Sequence, residues 1–496
     1  MNAPTEPARR DGPRLYGNWR PERGWGIGAL STTATVIVFA AVLAPLLAVS
    51  TAPAVALPLF AVGAVVIAAL VVRLGGVSAA DVIARRVRFH RARRAGWTRL
   101  SGGVLTDHPR AEDLPGVLAP LRALDVEDGR GSCHALLWNR RTGALTAVLR
   151  CSPIGLELTD ADQADIWVAA WGGFLADLGY QPLVRHVAVT VDTNPAAATT
   201  VADHVRAHLD PGAPALARRV LTELADATPD RSATIDVRLA VCLDPNRAVP
   251  KPGDLLAAAV EVGRWLPGLE TALAGCGVAV LGRADVGWLA GRIRGAFDPH
   301  SLPDSHRGGA ALPGWADAGP VAAEEAWDRY RHDGAVSVTW ALREAPRQAV
   351  TATVLAPLLA PGPFARRVTW LYEPYPAEQA ASKVEAQVTA GQVRQAWSAR
   401  TRRDDTQRDR DDRHRALQSA REEAEGAGVG RVTAYVTTTV TDEHLLDAAV
   451  ADVEQRAGQA MLRLRRLRGA QAAGFAAALG LGIDPAELLA HRGGRR

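Results

Sequence analysis

Lysine is almost missing from this chain, occurring only at Lys251 and Lys383. A P-loop nucleotidase needs a lysine on the phosphates within G-x-x-x-x-G-K-[ST]. Lys251 sits in Val249-Pro250-Lys251-Pro252, where flanking prolines cannot open a helix over phosphates, and no such motif surrounds Lys383. ATPase chemistry of that type is excluded. Close cysteine pairs are missing too: Cys133, Cys151, Cys242 and Cys276 are scattered, which argues against a zinc site or a redox motif and fits reduced cytosolic thiols. No serine lies in a G-x-S-x-G elbow, and no Cys–His arrangement marks a nucleophile. His204 and His208 share a helix face at i, i+4, but the glutamate that a zinc hydrolase places after its first histidine is absent. A surface helix is the plainer reading of that pair. The sequence therefore offers no catalytic residue, no metal ligand set and no cofactor motif.

The most informative absence is charge. Two apolar runs, Ile27 to Val49 and Ala54 to Val72, contain no ionisable residue. They are about 23 and 19 residues long, against the roughly 20 that span a hydrocarbon core as a helix. Ser50-Thr51-Ala52-Pro53 allows only a tight turn between them. The pair reads as a transmembrane hairpin with both chain ends on one side. Transport pathways need an ionisable group at membrane depth, so the hairpin is expected to anchor or assemble rather than conduct. Pro45 and Pro58 read as kinks. A cleaved signal peptide fits poorly, because the first run is long and the second follows at once.

Charge also sets the orientation. Arg9, Arg10, Arg14, Arg20 and Arg23 precede the first run, and Arg73, Arg85, Arg86, Arg88, Arg91, Arg93, Arg94 and Arg99 follow the second. Positive flanks remain cytoplasmic, which places both termini and the remaining ~420 residues inside an inner (plasma) membrane. These arginines more than account for the net charge of +4, so no general nucleic-acid-binding surface is expected on the rest.

Candidate membrane-interface residues are Trp19, Arg20, Arg23, Trp25, Arg73, Arg85, Arg86 and Arg88. Rings settle at headgroup level and guanidiniums on phosphates. Tyr16 is read with them; a docking peptide for a partner is the sharper alternative for this tail. In the basic helix after the hairpin, Val82, Phe89 and Ala92 can share one face with arginines on the others, which suits the anionic leaflet better than DNA.

The chain divides into a tail (1–26), the hairpin (27–72), a basic helix and linker (73–125), a first α+β domain (126–300), a linker (301–334) and a second α+β domain (335–490). In the first domain, strands are expected at 133–138, 145–151, 184–191, 233–243 and 278–281. Helices are expected from about Thr159, near 196–209, 214–226 and 253–275, and over 284–296. The second domain runs a similar programme. Its strands fall at 335–342, 350–355, 367–372, 431–440 and 461–464, and its helices at 376–400, 403–425, 442–457 and 469–479. The fold class is an N-terminal transmembrane α-hairpin plus a cytosolic α+β region built as two duplicated sheet-with-helices domains. Trp167 and Trp171, followed by Gly172 and Gly173, mark either sheet–helix packing with close approach at the glycines or a partner groove. The mixed charges of 402–425 read as a solvated helix or an assembly surface.

The layout resembles an uncharacterised family of actinobacterial two-helix membrane proteins encoded beside conjugation or type IV-like secretion ATPases. The resemblance rests on Thr142-Gly143-Ala144-Leu145-Thr146-Ala147-Val148-Leu149 and Trp167-Val168-Ala169-Ala170-Trp171-Gly172-Gly173. The stretch Arg465 to Pro485 is similar to the region before the motor of conjugation-type ATPases, here without the motor. The EccE subunit of type VII secretion shares the plan of hairpin plus cytosolic domain. The resemblance implies a non-enzymatic component that docks a secretion or conjugation ATPase and channel subunits, with oligomeric state left open. A membrane-tethered enzyme without a recognisable motif is the reading of another class.

Overall fold

The computed structural model describes residues 15–17, 19, 32–51, 53–74, 77–102, 113–128, 131, 133–153, 155, 159–195, 205–227, 233–301, 313–376, 378–386, 389, 417–422 and 426–487. These fall into two compact units, one around the apolar N-terminal helices and one built on a sheet. Arg20, Arg23, Trp25, His204 and most of the charged stretch 402–425 lie outside the described residues.

In the first unit, α1 (Thr32–Thr51) and α2 (Pro53–Val71) pack side by side as an antiparallel hairpin. A two-residue ribbon, β1 (Arg73–Leu74) with β2 (Val77–Ser78), turns the chain into α3 (Ala79–Arg94). The Ser78 hydroxyl caps α3 by accepting the amide of Asp81, and Arg91, Arg93 and Arg94 lie in its last turn. Both ends thus suit the helix dipole.

Among the described residues, the second unit is organised by one sheet of 13 strands. From the first half of the soluble chain come β4 (Leu121–Glu127), β5 (Cys133–Asn139), β6 (Leu145–Pro153), β7 (Val184–Pro195), β8 (Ala233–Leu243) and β9 (Val278–Arg283). The second half supplies β10 (Ala322–Glu325), β11 (Tyr330–His332), β12 (Ala335–Glu344), β13 (Ala365–Pro374), β14 (Gly430–Val440) and β15 (Arg463–Arg466), and β3 (Arg99–Ser101) closes one edge. The order is β3-β10-β11-β12-β14-β13-β7-β8-β6-β5-β4, with β9 on β6 and β15 on β12. The halves meet where β7 pairs antiparallel with β13, Thr190 opposite Thr369. Outward from that seam the connectivity of the two halves is the same. Ala284 donates its amide to the Val148 carbonyl at 2.8 Å, and Leu467 to the Thr339 carbonyl at 3.0 Å, in matching places.

One sheet face is apolar. In the first half Leu149, Val187, Leu239 and Val241 pack under α4 (Ala161–Asp177) and α6 (Leu255–Ala274). In the second, Val338, Trp340, Val368 and Val436 pack under α8 (Ala356–Leu359) and α9 (Leu446–Gln459). Each fully buried aliphatic side chain contributes about 1.5–3 kcal/mol. The other face is covered by α7 (Val286–Phe297) and α10 (Gln471–Ala478) and mixes apolar with polar residues. A further helix, α5 (Ala215–Ala227), sits in the connection from β7 to β8.

The structure departs from the sequence reading at short elements. β4 lies largely in a stretch expected as linker, and β10 and β11 in another. These short strands owe their form to a neighbour's ladder rather than to their own period. Val350 to Leu355, expected as a strand, is a turn after one isolated bridge to Tyr16.

Candidate functional site

The hairpin is a candidate because of what its surface offers. Within the 18-residue windows Thr33–Ser50 and Ala54–Val71, 6% and 11% is buried. Leu47, Leu57 and Val65 are 66%, 79% and 69% exposed. The core helix of a soluble protein buries such residues; a helix facing lipid does not. Both helices are long and apolar enough to cross a membrane. They touch through small residues: a Cβ built on Gly63 would come 2.6 Å from the Ala41 carbonyl oxygen. Close backbone approach of this kind is how helices associate in lipid.

Around the hairpin the expected interface residues separate. Trp19 is exposed, as are Arg73, Arg85, Arg86 and Arg88. Tyr16, read with them as an interface anchor, is not one. Its backbone pairs with Val350, and its hydroxyl donates to Asp165 Oδ1 at 2.5 Å, so it belongs to the sheet unit. On α3 the face of Val82, Phe89 and Ala92 turns inward, with Phe89 8% exposed. Val82 and Ala92 beside it are half-buried, so this face is used in packing within the protein.

Trp167 and Trp171 are half-buried in helix packing. The Trp167 ring lies where a Cβ on Gly277 would fall, 2.6 Å away, and Trp171 packs on Phe174 at 5.2 Å between ring centres. The close approach is therefore at Gly277, in the turn before β9. Gly172 and Gly173 are exposed, and nothing among the described residues lies within 4 Å of a Cβ at either.

The sequence reading missed the polar layer on the sheet face beneath α7 and α10. Asp192 on β7 takes Arg238 Nη1 on one oxygen and Arg367 Nε on the other, both at 2.6 Å. Burial by itself would raise the Asp192 pKa; the two guanidiniums and their hydrogen bonds outweigh it and hold the carboxyl below its ordinary value. Arg238 also reaches Asp236 at 3.1 Å and the Leu479 carbonyl at 3.2 Å. Thr190 and Thr369 join their hydroxyls at 3.0 Å across the seam, and Thr369 donates to the Ala478 carbonyl at 2.6 Å.

Further along this face, His332 is 1% exposed. A carbonyl only accepts, so Nδ1 carries the proton and donates to Phe297 O at 2.5 Å. Nε2 then accepts the Ser337 hydroxyl at 2.8 Å, and Ser337 meets Thr439 at 2.8 Å. Burial lowers the His332 pKa to about 4. The Ser–His contact superficially suits acyl transfer, but Ser337 is wholly buried, so no substrate carbonyl reaches it. Cys151 and Cys242 are pushed up by burial, to about 11 and about 12, and are poor nucleophiles.

A small recess among the described residues opens beside this layer, lined by Asp192, Asn194, Arg367, Thr437 and Thr439 with Pro299. It has room for ordered water rather than an organic substrate. Arg367 Nη1 has no protein acceptor among the described residues, and such a water would serve it. No group of three His, Cys, Asp or Glu among the described residues could hold a metal ion. Compared with known proteins, the chain matches no family model and no curated protein sequence.

Proposed function

We propose that this protein is a non-enzymatic membrane-anchored scaffold, held by the α1–α2 hairpin and presenting its sheet unit to partner proteins. The observation that carries the reading is a pairing of opposites. The hairpin is free of ionisable residues and bare of cover, whereas the chemically capable side chains Asp192, Arg238, His332 and Ser337 are buried and bound to one another. The hairpin has no group that would move an ion, and the buried residues have no room for a substrate.

Arginine flanks favour a topology with both termini and the sheet unit cytoplasmic, with Trp19, Arg73 and α3 near the headgroups. The identical connectivity on either side of the β7–β13 seam favours an ancestral duplication of one sheet-with-helices unit. The resemblance in layout to two-helix proteins of conjugation and type IV-like secretion loci, or to the EccE subunit of type VII secretion, gives the scaffold a setting: it docks an ATPase supplied in trans.

Affinity capture of the full chain from native membranes tests this. A secretion or conjugation ATPase or a channel subunit is the expected catch. Recovery of neither, with the bait intact, would overturn the secretion setting. Hydrolase activity in the purified protein that is lost on substituting Ser337 or His332 would overturn the scaffold reading itself.

A further inference from the structure

We propose that α3 reads lipid charge: its outward face, Ile83 and Val87 alongside Arg91 and Arg94, docks on a bilayer surface of anionic phospholipid headgroups. The proposal rests on the reading of α1 and α2 as membrane spans.

At about 100° per residue, positions 83, 87, 91 and 94 form one stripe along a helix. Val82 and Phe89 lie on another side and are turned inward. The stripe is open: Ile83 is 59% and Val87 52% exposed, and Arg91 and Arg94 are exposed beside them. Six arginines, from Arg85 to Arg94, face one acid in the helix, Asp81, which stands in the first turn. The turn that follows carries Trp97, 80% exposed.

Aliphatic side chains between arginines, with an open tryptophan at one end, match the layered chemistry of a bilayer surface. Branched carbons reach past the headgroups, guanidiniums stay on phosphate, and the indole sits at the boundary. Nucleic-acid phosphates would take the arginines but offer nothing to Ile83 and Val87. Continuity points the same way, because α3 begins eight residues after α2 ends. A helix tethered that closely cannot move far from the leaflet, and each arginine near an anionic surface contributes about 1 kcal/mol.

The test uses the full chain in lipid nanodiscs, either phosphatidylcholine alone or with about one-third phosphatidylglycerol, and reads amide hydrogen exchange over residues 79–94. Exchange is expected to slow about fivefold or more in the anionic discs, as ~1 kcal/mol or more of added protection implies. The pair Ile83→Asp with Val87→Asp should abolish the difference, and Arg91→Gln with Arg94→Gln should reduce it. Arg85→Gln, on the far side of the helix, should reduce it less. Equal exchange in both discs would overturn the proposal, and so would equal losses from Arg85→Gln and the Arg91/Arg94 pair. Protection produced by an added oligonucleotide in phosphatidylcholine discs would assign the face to nucleic acid instead. A chain that enters neither disc type would sink the membrane reading and this proposal together, whereas insertion without lipid dependence sinks this proposal alone.

Discussion

Asp192 shows how far a single carboxylate can govern a sheet. It pairs with Arg238 on β8 and Arg367 on β13 at once, bridging the two halves. Asp192→Asn leaves both guanidiniums buried with too little negative charge. Breaking a buried pair in this way costs about 3–5 kcal/mol, which denaturant unfolding of the solubilised protein would read; a loss below about 1 kcal/mol would contradict the assignment. His332 makes a prediction in pH. Its ordinary pKa is 6.5 and its folded one about 4, so between those values the unfolded chain binds a proton that the native state refuses. Stability therefore falls as pH drops from about 6.5 toward 4, by up to ~3 kcal/mol from this group. His332→Asn should remove this share of the fall in melting temperature with pH and leave the share of His186, which burial also lowers to about 4. None of these residues stood out in the sequence. Arg238 stands between Val237 and Leu239 as a solvent-facing residue of a one-sided sheet does, and Arg367 follows a second arginine, Arg366, which blurs the alternation there; only the covering helices make that face an interior. The one trace of that cover is the glycine-rich end of the chain. Gly480 and Gly482, both at positive φ, lie where a Cβ would meet the Thr190 and Thr146 hydroxyls at 2.2 and 2.0 Å.

Among the elements, the hairpin was the most legible, because length and absence of charge define it without reference to any neighbour. Strongly periodic elements were legible for the same local reason: α4, α6 and α9, and the strands β6, β7, β8 and β14, lie where their periods put them. The edge strand β4 and the short strands β10 and β11 were not, since they are held by ladders the sequence does not display. The packing partner of Trp167 was hidden too, because Gly277 stands 110 positions away. At Gly63 the structure adds what periodicity could not: the contact with Ala41 leaves no room for a side chain. Gly63→Leu should force α1 and α2 apart, at a cost on the order of 2 kcal/mol from lost packing. Faster proteolysis at the α1–α2 turn of protein in detergent micelles is the expected readout. An unchanged cleavage rate would mean that the helices do not pack through this contact.

The whole sheet unit is tied together across its seam. The segment leaving α10 belongs to the second half yet holds the first: the Leu479 carbonyl accepts Arg238, and Glu487 pairs with Arg185 at 2.6 Å. Asp484 on the same segment pairs with Arg431. A similar order of elements in the two halves of this unit was legible in the sequence. Their fusion edge to edge through β7 and β13 was not, because strand pairing between distant segments leaves no local period. The fusion makes the two halves one continuous sheet.

The side of the membrane on which the sheet unit stands can be tested with a native thiol. Cys133 is exposed, whereas Cys151, Cys242 and Cys276 are buried. An impermeant maleimide applied to intact cells carrying the protein should leave Cys133 unlabelled. The same reagent should label it in inverted membrane vesicles, with the chain still in the membrane after an alkaline carbonate wash. Labelling in intact cells, or release of the chain by carbonate, would contradict a cytosolic scaffold anchored by a transmembrane hairpin.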